Sequence, residues 1–158
     1  MTAEQFIDAL WQLTGTGPKK PSGHVEQFLN PDEKELHTTY RASLVESDLL
    51  MRSLGRPNRE QVVTDRPASL TTLQALDLSN SPLLTETLKR GAVSIRKQFQ
   101  DQEPSAIVEW LYLAALSRPP SKDERAIAVD LLGSPATQSG VEDLLWMVTM
   151  LPEFQIVR

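Results

Sequence analysis

Three stretches of this sequence place a hydroxyl residue three positions ahead of Glu or Gln, just before an apolar run. They are Thr2 with Gln5, Ser121 with Glu124 and Ser139 with Glu142. At that spacing the hydroxyl accepts from a free backbone N–H of the first helical turn, and the acid or amide reaches back to the cap, so each is a helix start. Asn30-Pro31-Asp32-Glu33, Ser81-Pro82 and Pro104 add further starts. Proline at the first helical position loses no hydrogen bond, and its φ is already helical. No Asn-Gly or Asp-Gly hairpin turn stands against them. A chain punctuated this way folds as helices.

The apolar residues recur with helical spacing between those starts. Phe6, Ile7, Leu10, Trp11 and Leu13 line one face of a first helix that Gly15, Gly17 and Pro18 stop, with a Gly/Pro/Lys loop over residues 14–24. A helix from Asn30 carries Leu36 and Tyr40, and a short one over Ser47 to Leu54 ends at Gly55, before Pro57. Residues 56–68 read as an ordered loop whose Gln61-Val62-Val63-Thr64 is the one place for a short strand. Helices follow over Ser69 to Asn80, from Ser81 through Phe99, and from Pro104 to Leu116. In the last of these, Ile107, Val108, Trp110, Leu111, Leu113, Ala114 and Ala115 make it apolar nearly all round and hence expected to be buried. Ser121 to Leu132 stops at Gly133, Val141 to Leu151 stops at Pro152, and a short tail carries Phe154.

The expected fold is mainly α, a single helical domain over residues 1–158 with about six to seven helices and an irregular, short-stranded centre around residues 41–70. The phrases Leu54-Gly-Arg-Pro57 and Leu116-Ser-Arg-Pro119 look alike and read as one helix-stop device, a cation near the negative end of the helix dipole followed by proline.

Composition narrows the function. A formal net charge of -5 disfavours a general nucleic-acid surface, which needs a basic face. The absence of cysteine removes disulfides, thiolate metal sites, iron–sulfur clusters and cysteine nucleophiles. The longest apolar stretch, Leu144 to Leu151, is too short to cross a bilayer and is interrupted by Thr149. The opening residues lack the basic and apolar regions of a signal peptide.

Catalytic patterns are missing too. His24 and His37 show no two-histidine ligand spacing, Pro21-Ser22-Gly23 lacks the frame of a nucleophile elbow, and Gly15-Thr16-Gly17-Pro18-Lys19-Lys20 departs from a phosphate loop. No metal, no cofactor and no catalytic residue is therefore expected. The polar residues that stand out are the central arginines. Arg41, Arg56, Arg59 and Arg66, with Asn58 and Thr72, form the candidate binding cleft, since guanidinium forks hold carboxylates, sulfates or phosphates in bidentate fashion. The competing reading pairs these arginines with Glu60 and Asp65 to pin an irregular loop, leaving Thr72 as a helix cap.

The order of phrases resembles a family. Leu54-Gly-Arg-Pro-Asn-Arg-Glu-Gln-Val62, Asp65-Arg-Pro67, Leu70 through Asn80, Leu111 through Glu124, and Asp143-Leu-Leu-Trp146 with Pro152-Glu-Phe154 are similar to the planctomycete cytochrome-c-associated C-terminal domain family. Thr2-Ala-Glu-Gln-Phe6 resembles a phrase that lies well inside that domain. The resemblance implies a C-terminal segment of a larger exported or periplasmic multidomain protein with an upstream cytochrome-c-like region. Its expected partners are those upstream domains or another protein. It supplies no catalytic residues.

Overall fold

A computed structural model describes residues 1–17, 41–56, 76 and 78–155. Helix α1 spans Ala3–Thr14, a 3-10 turn Ala42–Leu44, α2 Leu49–Ser53, α3 Pro82–Gln98, α4 Pro104–Leu116, α5 Lys122–Leu132, α6 Gln138–Met150 and α7 Pro152–Gln155. The chain is mainly helical, with no strand among the described residues. The expected helix from Asn30, the loop Gln61 to Thr64 and both histidines lie outside them, as does most of the helix expected over Ser69 to Asn80. Of that helix Leu76 and Leu78 to Asn80 are described and are helical.

Two of the three capping boxes form as the spacing predicts. Thr2 accepts from Gln5 N at 3.3 Å while Gln5 Oε1 accepts from Thr2 N at 2.8 Å, and Ser121 and Glu124 do the same. The third does not. Helix α6 starts earlier, with Thr137 Oγ1 accepting from Gly140 N at 3.0 Å, and Glu142 accepts from Gln138 instead of returning to Ser139. Likewise Asp48, not Ser47, caps α2, accepting from Met51 N at 2.7 Å. An ionised carboxylate is the stronger acceptor at a helix N-terminus. The expected Phe154 tail is a one-turn helix, α7.

Helix α6 sits at the centre. Its Val141, Leu144, Leu145 and Val148 are fully buried, and it packs on α3, α5, α4 and α7. Helix α1 lies across α3 and α4 with Phe6, Ile7, Leu10 and Leu13 inward. Two glycines let helices come close. A Cβ on Gly140 would stand 2.6 Å from Leu131 O on α5, and one on Gly91 would stand 2.6 Å from Thr14 Cβ on α1.

Helix α4 corrects its expectation. Ile107, Val108, Leu111 and Tyr112 are buried, but Leu113 is 54% exposed and Trp110 only half-buried. One side of an almost wholly apolar helix therefore faces outward.

Candidate functional site

Of the candidate binding residues, Arg41 and Arg56 are described, while Asn58, Arg59, Arg66 and Thr72 lie outside the described residues. Arg41 precedes the 3-10 turn and is exposed. Arg56 turns inward, its side chain 8% exposed. Its Nη1 donates to Ala42 O at 2.8 Å and to Met51 Sδ at 2.9 Å, and its Nη2 donates to Val45 O at 2.9 Å and Ser43 O at 3.2 Å. Its Nε lies 3.7 Å from Glu4 Oε1 on α1. A guanidinium has five N–H donors. Four are directed at these neighbours and the fifth lies in ion-pair range of a carboxylate, so Arg56 holds the backbone of residues 42–45. Asp8, one turn beyond Glu4, accepts from Ala42 N at 2.6 Å and fixes the same turn to α1.

A second arginine cluster lies where α4 ends and α5 begins. Ser117 takes a left-handed conformation at φ 56° and turns the chain out of α4. Arg118 then forms a fork with Glu124, Nη1 to Oε2 at 2.9 Å and Nη2 to Oε1 at 2.8 Å, while its Nε donates to Glu153 Oε2 at 2.9 Å. The guanidinium carbon stands 5.6 Å from the centre of the Tyr112 ring. Glu124 Oε2 also accepts from Ser121 N at 2.7 Å, so one carboxylate serves both the capping box and the ion pair. The Arg118 fork and the Ser121 N–H hold the Glu124 carboxyl down to about 2. The two carboxylates push Arg118 further up, and burial, with Glu124 close by, raises the Tyr112 hydroxyl. Arg118 thus does more than the helix-stop reading expects: it ties α5 and α7 to the corner.

Residues far apart in the sequence phrases meet here. Glu153 joins Arg118 and Glu124, and the Phe154 ring meets Phe6 edge-on, centroids 5.8 Å apart at 83°. The phrases at residues 2–6, 111–124 and 152–154 are joined by contacts that hold structure, none of which presents a nucleophile or an acid–base pair to solvent.

Concave surface lies beside this junction. A groove of about 220 Å³ runs between α1 and α4 with Ala9, Leu13, Trp110, Ala114, Ala115 and Phe154 among its walls, and among the described residues no charged side chain lines it. A smaller one, about 40 Å³, opens on the other side of the aromatic pair against Phe6, Leu54, Leu78 and Gln155. Met1 borders both. A third depression, open to solvent, lies at Arg96, Lys97, Gln100 and Gln138. Among the described residues no three His, Asp or Glu come together as metal ligands, and no helix is long and apolar enough to cross a membrane.

A family model, PSD1, described as "Protein of unknown function (DUF1553)", matches residues 1–132. Comparison with curated proteins finds no match, and comparison with solved structures finds none.

Proposed function

Because the chain belongs to the PSD1 family of proteins of unknown function, we propose that it works as a helical interaction module rather than as an enzyme. In this reading it is the C-terminal part of an exported, cytochrome-c-associated multidomain protein of planctomycete type. It packs on the upstream domains of that protein or on a protein partner.

The observation that carries the proposal is the groove between α1 and α4, walled by Ala9, Leu13, Trp110 and Ala114, together with the outward apolar side of α4 at Leu113. Apolar surface that gathers into a concavity is the usual mark of a contact with another polypeptide. Trp146, 45% exposed on α6, adds a large aromatic to the accessible apolar surface. The sequence phrases support the family context, and the internal position of the phrase resembling Thr2 to Phe6 supports a neighbouring upstream part.

A competing reading, an anion- or carbohydrate-binding cleft at Arg41, Asn58, Arg59, Arg66 and Thr72, has exposed Arg41 in its favour but loses Arg56, whose donors are used internally.

Co-elution of this chain with the segment encoded directly upstream tests the proposal. Stable co-elution at micromolar concentration, abolished by Ala114→Glu in the groove, is the expected result. A folded, monomeric chain that does not associate overturns it. Sulfate, phosphate and simple sugars titrated against the same protein then test the competing reading.

A further inference from the structure

Helix α7 divides the apolar surface in two. Its Phe154 walls the larger groove, its Gln155 borders the smaller one, and the Phe6–Phe154 ring pair is the partition between them. We infer that α7 is a latch: Pro152–Gln155 detaches from the folded body and unwinds, uncovers Phe6, and joins the two grooves into one continuous apolar channel.

The attachments of α7 are few and separable. Four residues do not hold a helix by themselves, because the first turn costs more than its one or two hydrogen bonds return. Besides the packing of the Phe154 ring into the core, the described attachments of this segment are that ring on Phe6, Glu153 on Arg118 at 2.9 Å, and Gln155 Nε2 on Thr149 O at 3.3 Å. Glu153 and Arg118 are 55% and 37% exposed, so solvent screens their pairing. Release also leaves no charge stranded. Arg118 keeps both bonds to Glu124 and its place near Tyr112, so the corner stays intact when Glu153 leaves. The burial of one aromatic side chain is then the main term that keeps the latch closed.

That balance sets the open state at roughly one molecule in a hundred, far above the globally unfolded population. The body beneath is fixed differently: α6 places four fully buried apolar side chains against the rest of the core, whereas α7 places one, 5% exposed. The inference does not depend on the module reading, although an opened channel would enlarge the surface that reading uses.

Native-state hydrogen exchange on the whole chain tests it. The Phe154 and Gln155 amides, which donate to Leu151 O at 3.0 and 3.4 Å, are the reporters. Their protection is expected on the order of a hundred-fold, with the amides of Leu144 to Val148 at least ten-fold better protected. Glu153→Gln should speed exchange at both reporters by roughly two- to five-fold, leave α6 unchanged, and raise hydroxyl-radical labelling of Phe6 by a smaller factor, because the 5% exposure of Phe6 in the closed state adds a constant background. Both proteins keep the buried core, so the comparison does not rest on a variant that fails to fold. Reporters that exchange no faster than α6 overturn the latch. So does faster exchange in Glu153→Gln with Phe6 labelling unchanged, which would mean that the helix frays without uncovering the groove.

Discussion

Gly140→Ala tests the close approach of α6 to α5. Gly140 stands in the first turn of α6, and an added Cβ would meet Leu131 O at 2.6 Å, Leu132 Cα at 2.8 Å and Leu132 O at 2.8 Å. All three are backbone atoms of α5 and cannot rotate aside. Restoring an ordinary separation of 3.4 Å requires α5 and α6 to part by about 0.8 Å (3.4 less 2.6). The same contact packs the fully buried Leu132 and Val141, so parting it opens space in the core. Overlap with three backbone atoms puts the overpacking cost at the upper end, about 2–3 kcal/mol, and replacing glycine by alanine in a helix returns at most about 1 kcal/mol. The expected net loss is about 1–2 kcal/mol, read as a lower urea midpoint with an unchanged slope. A variant as stable as the wild type, or more so, would refute the argument, because the helix-propensity gain would then exceed the cost of the clash.

Arg56→Ala leaves the carbonyls of Ala42, Ser43 and Val45 without their donor and is expected to cost about 2–3 kcal/mol in urea unfolding, with Arg56→Lys intermediate because an ammonium lacks the fork. The Glu124 carboxyl lies below its unfolded value of 4.5, at about 2. Its contribution is therefore complete above pH 4.5 and lost as pH falls from 4.5 towards 2. With both partners about a third exposed, that contribution is about 1 kcal/mol, and Glu124→Gln should remove it and flatten the acid limb of stability against pH. Gly91→Ala, whose new Cβ would meet Thr14 Cβ and Cγ2 at 2.6 Å, should cost about 1–2 kcal/mol by the same unfolding measurement.

Much of the scaffold can be read from local chemistry. The Thr2 and Ser121 boxes, the Ser81-Pro82 start and the Gly15 stop each act within a few residues, so spacing alone finds them. The Ser139 box fails for an equally physical reason. Two hydroxyls, Thr137 and Ser139, compete for one helix start, and the close approach of Gly140 to α5 places the start at Thr137. Tertiary pairing was not legible. Nothing near Arg118 announces Glu153, which lies 35 residues on, and nothing near Arg56 announces the carbonyls of residues 42–45. The two look-alike phrases share a further device. In each a positive-φ residue, Gly55 or Ser117, turns the chain so that the arginine behind it can clamp a neighbouring segment.

The central position of α6 also bears on synthesis. Translation delivers α6 after α1, α3, α4 and α5, yet α6 is the most extensive described neighbour of α3 and contacts α4, α5 and α7 as well. A chain emerging at about 5–20 residues per second therefore exposes Leu84, Leu88, Ala92 and Ile95 for several seconds before the helix that packs on them leaves the ribosome. During that interval the nascent chain is a substrate for holding chaperones, and a ribosomal stall between residues 132 and 138 would release a product without its central helix.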